Sequence, residues 1–263
     1  MDIDIYSDGH VHTHLCMHAG GTMEEYVQAA IGKGLRHMVF LEHLEEGIDY
    51  PERTWLREED FDHYFEEGNR LKQVYGDFIE IGLGVEVGYN PHWTEKILRR
   101  LSIRKWDRIG LSYHFYKLPG TGCHLNFLSR KQKNINAFID HGASALLSHY
   151  FSTLIEAVQI IPADVVCHLD AGLRHVPDLS LNDEHHDLID TLLHQIKASG
   201  MALELNTSGY KTRNIPFPSF DLIEKAHNLE IPMIAGSDAH APSQVARYFR
   251  RLSDDLSKMP RQK

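Results

Sequence analysis

Asp8-Gly9-His10-Val11-His12 places two histidines two residues apart. In an extended segment such residues point the same way, so His10 and His12 can reach one ion from one face. Cys16-Met17-His18-Ala19 follows at once. Further along, His, Asp or Glu recurs where short apolar runs end. His43 closes Phe40-Leu41-Glu42-His43, and Glu86 lies in Gly84-Val85-Glu86-Val87. His114 lies in Ser112-Tyr113-His114-Phe115, and His168 in Val165-Val166-Cys167-His168-Leu169-Asp170. Asp238 and His240 close Gly236-Ser237-Asp238-Ala239-His240. Imidazole and carboxylate are ligands of divalent metals. Any one of these histidines alone reads as a surface or satisfied core residue. The whole set, in phase with the apolar runs, predicts a metal centre.

The elements that must position this set are the runs themselves. Candidate strands are Ile3–Val11, His37–His43, Ile79–Val87, Arg108–His114, Asp164–Leu169, Met201–Asn206 and Ile231–Ser237. Amphipathic stretches lie between them, which reads as repeated βα units. Thr22-Met23-Glu24-Glu25 has the pattern of a capping box, and Lys33-Gly34 supplies a stop. Leu181–Ser199, ended by Gly200, and Phe220–Asn228 have helical spacing. Seven strands joined by helices predict an α/β fold with a parallel sheet closed into a barrel. An open doubly wound sheet is the alternative. In a barrel the C-terminal strand ends converge on one face, so the ligands would meet there.

Composition narrows the function classes. A chain of 263 residues, 42% hydrophobic, suffices for one barrel domain. We therefore expect one domain over residues 1–263. The formal charge of −10 argues against general affinity for nucleic acid, but not against a small anion, since bound ions dominate the local field. No stretch approaches the ~20 apolar residues of a membrane span. Met1-Asp2-Ile3-Asp4 resembles no secretory signal. Three widely spaced cysteines, Cys16, Cys123 and Cys167, suit a reducing cytoplasm. Oligomeric state is not legible.

Several residues near the motifs keep a plain structural reading. His14 lies among the ligands without belonging to the pattern. His185 and His186 open a polar helix face and are expected to be solvated. His124, His149 and His175 lie nearer the expected pocket. Cys167 should point away from the face of His168, into packing, and Cys16 reads as a small core residue of its loop.

Taken together, Asp8-x-His10-x-His12, Cys16-x-His18-Ala19, His43, Gly-Val-Glu86, His114, His168-Leu-Asp and Gly-Ser-Asp238-Ala-His240 resemble the polymerase and histidinol phosphatase (PHP) family. The resemblance runs from residue 7 to about 245. It implies a distorted, seven-stranded (β/α)7 TIM-like barrel with two or three divalent ions, zinc, manganese or iron. The ligand sets it implies are His10, His12, Glu86 and Asp238 for one ion. Glu86 bridges to a second, with His114 and His168. His18, His43 and His240 hold the third. Leu203-Glu204-Leu205-Asn206-Thr207-Ser208-Gly209-Tyr210-Lys211 and Phe217-Pro218-Ser219 resemble the free-standing histidinol-phosphate phosphatases of that family. Two features depart from the pattern: Glu42 stands before His43 where the family usually has Asp, and residues 118–150 do not match those phosphatases.

The chemistry implied is phosphomonoester hydrolysis by a metal-bound hydroxide, in histidine biosynthesis. Three divalent ions, seven neutral histidines and two carboxylates leave an excess of positive charge for a phosphate dianion. Bound water can titrate near pH 7 instead of about 15.7. Asp238 and Glu86 would act in catalysis as well as ligation. Arg174, Lys211 and Arg213 follow the fifth and sixth strands and can reach the same mouth, where Arg suits phosphate; otherwise they are solvated loop charges. Asn206 and Asp170 could fix a polar substrate tail. The substrate's amine could pair with Asp170 or Glu204, and its imidazole could stack on Tyr113, Phe115 or Tyr210. The alternatives are a PHP-type phosphodiesterase or exonuclease, a phosphatase of another small metabolite, a non-catalytic metal domain, and an amidohydrolase-like enzyme.

Overall fold

A computed structural model describes residues 1–176 and 179–259. Its strands are β1 (Ser7–Val11), β2 (His37–Leu44), β3 (Glu80–Gly88), β4 (Ile109–Ser112), β5 (Phe115–Lys117), β6 (His124–Asn126), β7 (Val165–Val166), β8 (Ala202–Asn206) and β9 (Met233–Gly236). Seven of them form one sheet, in the order β1-β2-β3-β4-β7-β8-β9, with every pairing parallel. A parallel bridge from Val11 to Ala239 joins the two edges, with His12 N–H donating to the Ala239 carbonyl at 2.9 Å. The sheet is a nearly closed barrel, as expected, and the open alternative falls. β5 and β6 are a separate antiparallel hairpin after β4.

Helices α1 (Met23–Gly32), α2 (Glu58–Tyr75), α3 (Thr94–Ile103), α4 (Gln132–Asp140), α5 (Ala143–Ile160), α6 (Asp183–Ser199), α7 (Gly209–Thr212), α8 (Phe220–Asn228) and α9 (Phe249–Ser257) make the connections. Thr22 caps α1 through the Glu25 N–H, and Glu25 reaches back to the Thr22 N–H at 2.7 Å. This reciprocal pairing satisfies donors that the first helical turn leaves open. Gly200 ends α6 in the left-handed region, at φ 74°. Among the described residues no helix is long and apolar enough to cross a membrane.

Five strands are shorter than the sequence suggests, including β8 (Ala202–Asn206 rather than Met201–Asn206) and β9 (Met233–Gly236 rather than Ile231–Ser237). β1 begins at Ser7, because Met1, Ile3 and Ile5 pack against a cluster that includes Phe249, Leu252 and Leu256 of α9. β4 ends at Ser112 and β7 at Val166, so His114 and His168 lie just beyond their strands. Strand alternation divides the core. Val39 and Leu41 pack with Val165 and Cys167 inside the barrel, while Met38 and Phe40 face the helix layer of Tyr26 and Tyr64. The interior is full. A Cβ on Gly110 would lie 2.7 Å from Cys167 Sγ and 2.8 Å from Leu41 Cδ2, so only glycine lets these strands approach.

Candidate metal centre

The strand ends bring all nine predicted donors into one continuous cluster. Glu86, on β3, is its hub and is fully buried. Its Oε1 lies 2.8 Å from His168 Nε2 and 3.2 Å from His114 Nε2, and accepts from Ser112 Oγ at 2.5 Å. Its Oε2 lies 2.8 Å from His43 Nδ1, 3.5 Å from His10 Nε2 and 3.6 Å from His12 Nε2. His10 Nε2 and His12 Nε2 are 2.9 Å apart, two ring nitrogens aimed at one point. Asp238 Oδ1 is 3.4 Å from both His12 Nε2 and His240 Nδ1. His18, exposed in the loop after β1, completes the rim; its ring centroid is 4.5 Å from that of His240 and 5.4 Å from that of His43.

Two of these residues reach the cluster only because the backbone leaves strand geometry. A regular strand would send Cys167 and His168 to opposite faces, and Cys167 does pack into the barrel interior. His168 has φ 25°, and Asp238 has φ 50°. Non-glycine residues rarely adopt this region, and such strain gathers at functional sites.

The donor set fits divalent cations. His12 Nδ1, His43 Nδ1, Glu86 Oε2, His114 Nε2 and His168 Nδ1 are all buried without a hydrogen-bond partner. Burying one such atom is costly, and three of them, His43 Nδ1, Glu86 Oε2 and His114 Nε2, face the cluster, where a cation would satisfy them. The triads His10/His12/Glu86, His12/His43/His240 and Cys16/His18/His240 each keep their donor atoms within 4.8 Å of one another. Burial and the neighbouring His12 hold His43 and His240 well below the usual imidazole range, so both are neutral and ready to ligate. Burial opposes ionisation of Glu86, but His114, His10 and His43 overcome it and hold it well below the usual carboxylate range. Asp238 is held low in the same way, against its burial, by His12, His240 and Arg174.

Sequence reasoning missed the groups that hold the ligands. Glu45 Oε1 lies 2.7 Å from His114 Nδ1, and Glu204 Oε1 lies 2.8 Å from His10 Nδ1. Glu42 accepts from the Thr13 N–H at 2.7 Å and from its Oγ at 2.5 Å, and its Oε2 is 3.8 Å from His12 Nδ1. Arg247 donates to the carbonyls of Ser237 and Asp238, both at 2.9 Å. Acidic residues inside apolar strands were the available signal. Glu204, in Leu203-Glu204-Leu205-Asn206, does not offer a carboxylate to substrate, because His10 and the His168 N–H occupy both its oxygens.

The predicted substrate residues divide by position. Arg174 is partly buried beside the cluster, its Nη2 2.8 Å from Ser208 Oγ and 3.2 Å from Asp238 Oδ2. Asp170 accepts from the Ser219 N–H at 3.0 Å through Oδ2, while its Oδ1 is buried and unpartnered. Burial pushes its carboxyl up to about 7. Asn206 is buried and accepts from the Ser208 N–H and Oγ. Arg213 donates to the carbonyls of Leu173 and Val176, and Lys211 is exposed on α7. Tyr210 lies apart, its hydroxyl on Asp255.

The other histidines take structural places. His185 is not solvated but fully buried, with Nε2 2.9 Å from the Ser144 carbonyl. His124 Nδ1 accepts from the Asp49 N–H, His149 Nε2 lies 3.2 Å from the Tyr113 hydroxyl, and His175 Nε2 donates to the Leu128 carbonyl. His14 is exposed, and its Nδ1 donates to the Gly21 carbonyl at 3.1 Å. We expect His14→Ala to leave metal content and stability unchanged, within the ~0.5 kcal/mol typical of surface substitutions; metal analysis and thermal unfolding would show it.

Comparison with known proteins agrees with this architecture. The family model described as PHP domain matches residues 8–208, and one described as PHP-associated matches residues 223–259. A Deinococcus radiodurans protein named as a probable histidinol-phosphatase is 28% identical over 246 residues, covering 92% of this chain and 89% of its own. The crystal structure of hisK from Listeria monocytogenes superposes with a TM-score of 0.82 at 20% identity, over 93% of this chain and 99% of that one. The histidinol phosphate phosphatase of Lactococcus lactis, solved with zinc, L-histidinol and phosphate, gives 0.72 at 20% identity, over 97% of this chain and 94% of that one.

Proposed function

The chain belongs to the PHP family, and from that premise we propose that it is a metal-dependent phosphomonoesterase acting on histidinol phosphate, with residues 1–263 forming one domain. The observation that carries this reading is the cluster of seven histidines and two carboxylates centred on Glu86, with His43 Nδ1, Glu86 Oε2 and His114 Nε2 buried in it and left for cations. The histidinol-phosphatase names of its relatives supply the substrate. His10, His12, Glu86 and Asp238 would hold one divalent ion, Glu86, His114 and His168 a second, and His18, His43 and His240 a third. Zinc, manganese or iron fit a nitrogen-rich set of this kind. Bound ions supply positive charge and activate water at neutral pH.

The protein's own side chains do the rest. Arg174 is fixed by Ser208 and Asp238, and its Nε is buried without a partner, which leaves a directed donor for a phosphate oxygen. Arg213 braces the backbone that carries Arg174, through the carbonyls of Leu173 and Val176. Lys211 adds positive charge further out. Asp238 stays ionised and would take a proton at Oδ1 from the water whose oxygen bonds to phosphorus; as the phosphorus–oxygen ester bond breaks, the leaving alkoxide takes that proton and departs as the alcohol, which returns Asp238 to its ionised form. The free Oδ1 of Asp170 offers an acceptor to the substrate amine, and the buried amide of Asn206 orders the same wall. Tyr113 and Phe115, the expected stacking partners of an imidazole, are instead buried in aromatic packing, Tyr113 against Phe127 and Tyr150 and Phe115 against Tyr50 and Trp55. The three free cysteines suit a cytoplasmic setting.

Metal-loaded protein should hydrolyse histidinol phosphate far faster than a dinucleotide diester, read as kcat/KM by phosphate release. Comparable rates on the diester would favour a nuclease. Good turnover of another monoester with none of histidinol phosphate would keep the chemistry and discard the substrate.

A further inference from the structure

Glu204 contributes none of the nine donors and has no role in the chemistry above. It lies on β8, 1% exposed, in the middle of an apolar run. We propose that Glu204 is the positioning carboxylate of the metal centre, one group that fixes His10 and His168, ligands delivered from opposite sides of the site, at the same time. The inference rests on the metal-centre reading, and its test reads metal affinity rather than turnover.

Three observations carry it. Glu204 Oε1 lies 2.8 Å from His10 Nδ1. An ionised carboxylate can only accept, so a neutral His10 carries its proton on Nδ1 and leaves the Nε2 lone pair for a cation. That nitrogen faces His12 Nε2 at 2.9 Å and Glu86 Oε2 at 3.5 Å. Glu204 Oε2 accepts the backbone N–H of His168 at 2.8 Å. This is the residue whose φ of 25° turns its side chain onto Glu86 Oε1, so the same carboxylate anchors the strained backbone that delivers the second ligand. Finally, the neighbouring strand makes room for it. A Cβ on Gly236 would lie 1.9 Å from Glu204 Oε1 and 2.9 Å from His10 Cβ. Gly236 is therefore a space requirement of this carboxylate, in β9, at the step before the Ser-Asp-x-His ligand run.

The test is zinc titration of metal-free Glu204→Gln, with a competing chelator to set the affinity scale. Glutamine keeps the shape but offers one acceptor where two donors need one, so one of His10 and His168 is released. Partners of this kind typically change metal affinity 10–100-fold, and we expect zinc binding to weaken by about that factor. The KM of the loaded enzyme should move little while kcat falls. Wild-type zinc affinity in the variant would overturn the proposal. So would a raised KM with unchanged zinc affinity, which would place Glu204 on the substrate. Should Glu204→Gln fail to fold, Gly236→Ala displaces the carboxylate without removing it and must weaken zinc binding in the same direction. A lowered melting temperature with wild-type zinc affinity in that variant would mark a merely structural residue, and would overturn it too. Failure of the phosphatase reading shows instead as wild-type protein that binds zinc but turns over no phosphomonoester.

Discussion

Glu86→Gln should cost at least 10²–10³-fold in kcat, on the order of what removing one preorganised charge-stabilising group costs elsewhere, and should lower bound metal in the purified protein. The reason is the number of partners that one carboxylate serves. Its two oxygens lie within 3.6 Å of Nε2 of His10, His12, His114 and His168 and of Nδ1 of His43. The amide is nearly isosteric, so packing on β3 survives. It is neutral, however, and one of its two ends is an N–H2 donor, which cannot ligate a cation and which repels one. Five histidines would then surround a group that no longer balances bound positive charge. Metal analysis by mass spectrometry, with phosphate release under saturating substrate, would read both effects. Loss of activity with full metal content would make Glu86 a chemical participant only. Wild-type values for both would remove it from the centre altogether.

The legible part of this molecule was the part written in strand periodicity. His10 and His12 share a face because residues two apart do so in a strand, and the apolar runs before His43 and Glu86 are strands with nearly the expected bounds. Helix ends at Thr22, Gly200 and Phe220–Asn228 followed from capping chemistry and spacing. What escaped the sequence has physical causes. β7 has two residues, because the backbone turns into the left-handed region at His168 to deliver its ring, and no composition signal announces that turn. His185 looks like a helix-opening surface residue, yet the partner it needs, the Ser144 carbonyl, is 41 residues away on α5. Glu45, Glu42 and Glu204 look like ordinary charges until the barrel closes. Only then do they face His114, His12 and His10. Carboxylates that orient ligands are defined by three-dimensional neighbours, so a linear motif carries the ligands better than it carries their supports. The segment over residues 118–150 was opaque for a similar reason: it folds into part of the β5–β6 hairpin, α4 and the start of α5, and it joins the core through Phe138, Leu146, Leu147 and Tyr150.

Stripping the metal should abolish activity and lower the melting temperature by an amount that depends on pH. An ion present at 100 to 1,000 times its Kd stabilises by about 2.7–4.1 kcal/mol. At about 2–4 °C per kcal/mol for a chain of this size, loss of one ion lowers Tm by roughly 5–16 °C, and loss of further ions adds to it. The pH dependence follows from the ligands. Burial works to keep His114 neutral, but Glu86 and Glu45 outweigh it and push it up to about 10 in the metal-free protein. Its folded value is therefore above that of an unfolded histidine, near 6.5. The stabilisation it gives the metal-free protein is complete below about 6.5 and is lost as pH rises toward 10. Metal binding runs the other way, because the same imidazole must give up its proton to ligate. His10, raised by Glu204 and Glu86 despite its burial, behaves alike. Both effects have one sign: raising pH weakens the metal-free protein and strengthens metal binding. The gap in Tm between loaded and chelated protein should therefore widen from pH 6 to pH 9, and zinc added to metal-free protein near neutral pH should release protons. A gap that stays constant or narrows over that range, with no proton release by calorimetry in buffers of different ionisation enthalpy, would mean that these histidines do not ligate.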